Sequence, residues 1–115
     1  MENIKKKIIN KIIDWIALES GGRLIIEKPE KGADLIVQKK GDYQGKKIFL
    51  NLEVSKNPIE DTKNFLQDNY LLVVDFDFVT QKIGEKFWFL PEFKEQIDKK
   101  TFINFLIQKL IVENK

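Results

Sequence analysis

Two acidic residues stand in runs that could do chemistry together. Asp34 lies in Gly32-Ala33-Asp34-Leu35-Ile36-Val37, and Glu53 in Asn51-Leu52-Glu53-Val54-Ser55-Lys56. Carboxylates brought to neighbouring strand ends repel each other unless a cation lies between them. Magnesium suits such a place, because it takes one or two carboxylates and keeps water for substrate phosphates. Lys56 adds a positive group nearby, with Ser55 and Asn51 as polar neighbours. These residue types allow metal-assisted phosphodiester hydrolysis. The plainer competing reading is an aspartate that caps a turn or strand start and a glutamate that is merely solvated.

The elements that must position these groups follow from hydrophobic period and turn chemistry. Ile4, Ile8, Ile12 and Trp15 recur at helical spacing, with Ile9, Ile13 and Ile16 widening the stripe, which predicts a helix over 3–18. Ser20-Gly21-Gly22 stops it. Strands are expected at 23–27, 33–40 and 47–55, with a turn at 29–32 and a hairpin turn at 41–45. Asn57-Pro58 signals a short helix over 58–66. The run 70–78 (YLLVVDFDF) reads as a buried strand with Val74, Phe76 and Phe78 inward, and 86–90 (KFWFL) as another. Residues 92–112 read as an amphipathic helix presenting Phe93, Ile97, Phe102, Phe105, Leu106, Ile107 and Leu110. The hairpin centre near residue 43 or 44 is almost equidistant from Asp34 and Glu53, so the turn is expected to bring the two together at the open end. Alternation puts Asn51, Glu53 and Ser55 on one face of their strand.

The order of elements and the two quoted runs resemble the PD-(D/E)xK nuclease superfamily, which includes restriction endonucleases and Holliday-junction resolvases. The resemblance covers most of the chain in element order and about ten residues in motif. It implies a restriction-endonuclease-like α-β-β-β-α-β core of α/β (α+β) class, with a mixed central sheet flanked by helices. It further implies that Asp34 and Glu53 bind Mg2+ or Mn2+. The family places a lysine two residues after the glutamate, and here that position is Ser55. Lys56 is one step further, on the opposite face of a regular strand unless a bulge turns it back. Ala33 stands where the family often has proline. The implied function is nucleic-acid hydrolysis. The alternative is a nuclease fold without activity, kept as a module that binds nucleic acid or protein.

Composition bounds both readings. A chain of 115 residues is expected to form one domain, 1–115. It contains no cysteine and no histidine, which excludes disulfides, thiol nucleophiles, His-based triads and the usual zinc sites. The absence of cysteine fits the cytoplasm, and no signal peptide or membrane span is expected. Net charge is only +2, but the lysines are clustered. Lys5, Lys6, Lys39, Lys40, Lys46, Lys47 and Lys63 are the candidate phosphate contacts, with DNA preferred over RNA as the partner. A solvated lysine-rich surface is the competing reading. Asp75 and Asp77 either extend the acidic site or mark where their strand leaves the core. Lys63 and Gln67 share a helix face. Trp88, between Phe87 and Phe89, either stacks on a base or packs in an aromatic core. An unburied part of the apolar last helix would suggest a homodimer, and the competing reading is a well-packed core helix.

Overall fold

A computed structural model describes residues 2–29, 32–41, 44–55 and 69–113, with side chains from residue 4 onward. Helix α1 (Glu2–Glu19) turns Ile8, Ile12 and Ile16 inward, each fully buried at four-residue spacing. Such burial contributes about 1.5–3 kcal/mol per side chain. Gly21 and Gly22 end the helix with φ of 65° and 78°, a conformation that glycine takes without a Cβ clash. The buried Ser20 hydroxyl donates to Ala17 O and accepts the Leu24 N–H, locking the turn into the first strand.

Strands β1 (Leu24–Glu27), β2 (Leu35–Lys39) and β3 (Lys47–Val54) form an antiparallel meander. On β3 the alternation is plain: Ile48, Leu50 and Leu52 are buried, while Phe49 is exposed and Asn51 and Glu53 are half-buried. β4 (Tyr70–Val74) runs parallel to β3, and Leu71 to Val74 are all buried, as expected of a strand covered on both faces. β7 (Lys86–Leu90) pairs with β4, and β8 (Ile97–Asp98) with β7, both antiparallel. The result is a six-stranded mixed sheet in the order β1-β2-β3-β4-β7-β8. Helix α2 (Lys99–Ile107), continued by π-helical residues Gln108–Val112, lies with α1 against one face. Leu35, Val37, Leu50, Leu52, Leu72 and Val74 meet Ile8, Ile12, Phe102 and Leu106 there in one core. Phe89 anchors its aromatic end, with ring contacts to Tyr70, Phe93, Phe102 and Phe105 at 5.0–6.2 Å. The chain is therefore a mixed α+β structure.

Two sequence expectations are corrected. The strand expected over 70–78 stops at Val74. Asp75 O accepts the Gly84 N–H at 2.8 Å, and β5 (Phe76–Asp77) pairs instead with β6 (Lys82–Ile83) in a separate hairpin. The Asp77 carboxylate accepts the N–H groups of Val79 and Thr80 and closes the turn. Phe76 stays buried, but Phe78 is 55% exposed instead of facing in. The helix expected over 92–112 begins only at Lys99. Ile97 pairs with Phe87, and the Asp98 carboxylate accepts the Thr101 N–H at 2.8 Å as an N-cap. Ile97 is thus buried from a strand, and Ile103 joins the inward face of α2. The helix expected over 58–66 lies outside the described residues. Among the described residues no helix is long and apolar enough to cross a membrane.

Candidate functional site at the open end of the hairpin

The β2–β3 hairpin is present, with a register that differs from a fold symmetric about residue 43 or 44. Leu35 pairs with Leu50 and Gln38 with Lys47. Continuing that pairing sets Asp34 against Asn51, and Glu53 two residues further along. Asp34 and Glu53 therefore lie at the same open end of the hairpin, but not as a direct pair. The ladder also slips here. The Asp34 N–H donates to Leu50 O at 2.9 Å, one residue away from its facing partner.

Asp34 joins two elements. Its Oδ2 accepts the Leu52 N–H at 2.7 Å and lies 3.2 Å from Lys5 Nζ, so the carboxylate ties the β3 backbone to α1. The side chains of Lys5 and Asp34 are 42% and 26% exposed. Among the described residues both contacts of this carboxylate fall on Oδ2 and none on Oδ1. Thus the turn-capping reading of Asp34 holds in part: the side chain does replace a rung of the ladder. Glu53 alternates to the face away from Leu52 and the helices. It stands beside Val73, in line with Trp88 on the next strand, and is half-buried.

The surroundings of the pair are mixed in chemistry. The Asn69 amide donates to Gly32 O at 2.8 Å and lies 3.5 Å from Asn51 Oδ1, closing the same strand end. Ser55 donates its backbone N–H to Val74 O at 2.9 Å, the last rung of the parallel pair. Beyond it, Ser55, Asp75, Asp77 and Phe78 border a cleft of about 600 Å3. It opens at the carboxyl ends of β3 and β4, where ligands of open sheets commonly bind. Asp75 and Asp77 belong to this cleft's edge and to the β5–β6 hairpin. Trp88 is half-buried, and its indole N–H is buried with no hydrogen-bond partner among the described residues, which accords with a packed ring more than with a free stacking platform.

The lysines divide into separate groups. Lys5 is brought to Asp34. Lys6 is exposed on α1. Lys39, Lys40, Lys46 and Lys47 sit at the other end of the hairpin, and five residues of strand put Lys39 roughly 17 Å from Asp34. Lys39 and Lys40 border a shallow cleft with Arg23. Lys56 and Lys63 lie outside the described residues. The contact that local sequence reasoning missed is Lys5–Asp34. Its only signal is the position of Lys5 at the margin of the apolar stripe, between Ile4 and Ile8.

Carboxylate oxygens are the donor type that a hard, hydrated cation takes. Among the described residues no three His, Cys, Asp or Glu side chains are grouped to cage a metal. Asp34 Oδ1 and the Glu53 carboxylate would supply the one or two protein ligands that magnesium accepts. Comparison with known proteins finds no family model, no curated protein and no solved structure that matches this chain.

Proposed function

We propose that this chain acts on nucleic acid as a small nuclease-like domain, with hydrolysis of phosphodiester bonds as its reaction. In this reading Asp34 and Glu53 hold magnesium or manganese, which supplies charge neutralisation at the phosphate. The observation that supports it is the placement of Asp34, before β2, and Glu53, near the end of β3, at the same open end of the hairpin, beside the carboxyl ends of a parallel strand pair. The finer fold reading, a restriction-endonuclease-like core, rests on the succession of α1, the β1–β3 meander and a parallel β4. Water adds to phosphorus and one P–O ester bond breaks. The attacking water gives up a proton and the departing sugar oxygen takes one. DNA is the proposed substrate, met by the exposed Lys6, Lys39, Lys40 and Lys46.

A second reading is a module that binds nucleic acid without turnover. Ser55 in place of the family's lysine favours it, as does an ammonium already seated on Asp34. Manganese binding and cleavage of single- and double-stranded DNA and RNA separate the two, measured on the wild type and Asp34→Asn. The asparagine keeps an acceptor for Leu52 N–H while removing the charge. Hydrolysis predicts metal-dependent cleavage that falls at least about 100-fold in the variant. Salt-sensitive binding without cleavage selects the module. A wild type that binds neither metal nor nucleic acid refutes both.

A further inference from the structure

We propose that the cleft between α1, the β5–β6 hairpin and the start of α2 binds one nucleotide unit, with the base on Trp15 and the phosphate among Lys11, Lys82 and Lys99. The proposal goes beyond hydrolysis and uses neither Asp34 nor a metal. Ten residues of helix separate Trp15 from Lys5, about 15 Å along α1, so the cleft is distinct from the acidic hairpin end. Its volume is about 400 Å3, within the range of about 300–1,000 Å3 for small-ligand sites.

The floor of the cleft is aromatic and fixed. Trp15 stacks on Phe87, with ring centroids 5.3 Å apart and planes 20° apart. Phe87 is buried and meets Phe102 edge-on at 5.5 Å, so the indole rests on the packed core. Trp15 itself is half-buried and borders the cleft. The rim is cationic. Lys11 lies four residues before Trp15 on the same face of α1. Lys82 comes from β6, held in register opposite Asp77. Lys99 opens α2, whose start is fixed by the Asp98 cap, and its Nζ lies over the Trp15 ring, 4.8 Å from the centroid. All three lysines are exposed, and among the described residues none is ion-paired. Asp14 and Glu85 border the same cleft. Three ammoniums against two carboxylates leave one net positive charge, which suits the single charge of a phosphodiester better than a run of phosphates.

The matching ligand is flat and aromatic at one end and anionic at the other. Every base has a π-face, so an indole accepts any of them. The four-carbon stem of Lys99 lets its ammonium leave the ring for a phosphate as a base arrives. A paired duplex keeps its bases stacked inside, so the unit comes from a single strand or a free nucleotide.

The chain has two tryptophans, so Trp88→Phe leaves Trp15 as the reporting indole. That protein is titrated in EDTA with short single-stranded DNA and with adenosine monophosphate, and Trp15 fluorescence is read. The expected result is saturable quenching that weakens as salt rises. Lys82→Gln and Lys99→Gln should each weaken strand binding about fivefold and lower its salt slope by about one. Lys94→Gln, exposed and outside the cleft, should leave it unchanged. Trp15→Leu should weaken binding of a labelled strand about 5- to 150-fold, and Trp15→Phe less, with melting temperature as the fold control. Quenching by adenosine monophosphate identifies a free nucleotide as a source; quenching by the strand alone identifies a nucleic-acid chain. No quenching by either overturns the proposal. So does equal weakening by Lys94→Gln, which would mean diffuse attraction, and so does equal displacement by a glutamate-rich peptide. Because the readout is binding in EDTA, a negative result leaves metal-dependent cleavage at the hairpin end untouched, and a failure of cleavage leaves this site standing.

Discussion

Replacing Asp34 by alanine should destabilise the protein before any question of chemistry arises. The carboxylate accepts the Leu52 N–H at 2.7 Å, and a hydrogen bond to a charged group contributes about 1.5–3 kcal/mol. The Lys5 ion pair adds little, because its side chains are 42% and 26% exposed; pairs of this kind contribute about 0.2–1 kcal/mol. Asp34→Ala is therefore expected to cost about 2–3 kcal/mol. Asp34→Asn keeps a neutral acceptor for Leu52 and should cost about 1 kcal/mol. Lys5→Met should cost less than about 1 kcal/mol. In a domain of this size 1 kcal/mol moves the melting temperature by about 4 °C, so Asp34→Ala should melt about 8–12 °C lower. Urea unfolding of the two single variants and their combination, read as a double-mutant cycle, gives the Lys5–Asp34 coupling separately from the Leu52 bond. Asp34→Ala within about 0.5 kcal/mol of wild type would refute the latch. Asp34→Asn as harmful as Asp34→Ala would show that charge, and not the acceptor, holds the strand end.

Two further outcomes follow from the core and from the cap of α2. Phe89 is fully buried among four aromatic rings, so Phe89→Ala should cost about 3–5 kcal/mol in urea unfolding; a loss below about 1.5 kcal/mol would mean that the cluster collapses into the cavity. The Asp98 pKa is held below the usual carboxylate range, chiefly by the Thr101 backbone N–H and then by the Thr101 side chain. Its contribution is complete above the unfolded pKa and disappears as pH falls through the lower folded value, so the window lies below about pH 4. Unfolding midpoints of wild type and Asp98→Asn should therefore converge as pH falls through that window, and a constant gap would contradict the assignment.

The sequence made the local elements legible and left the non-local ones hidden. The isoleucine stripe of α1, the Gly21-Gly22 stop and the alternation in β3 are each set by period or glycine chemistry within a few residues, and all are present. The break at Asp75 escaped because the alternation of Val74, Phe76 and Phe78 continues across it. The decisive groups are instead Asp77, which bonds the Val79 and Thr80 N–H groups, and Gly84, which pairs back to Asp75. The start of α2 was set too early because Phe93 and Ile97 fit a helical period by chance. Asp98 marks the true start with its side-chain cap. At the candidate site, the hairpin was readable from its turn residues, but its register was not. A shift of two residues preserves which side chains face the core, so hydrophobic pattern alone does not distinguish Asn51 from Glu53 as the residue facing Asp34. The Lys5 contact joins residues 29 apart in the chain, beyond the reach of any local rule.

The seam between β3 and β4 divides the chain in an unusual way. Every other strand pairing in the main sheet lies within residues 24–54 or within residues 70–98, whereas this seam alone couples the two halves of the sheet. Each half also carries its own helix, α1 before the meander and α2 after β8. A molecule severed between Ser55 and Asn69 would thus yield two fragments whose mating edges are already specified by Leu52, Val54, Leu72 and Val74. That arrangement lends itself to complementation, in which two separately made pieces regain one shared interior only when they meet.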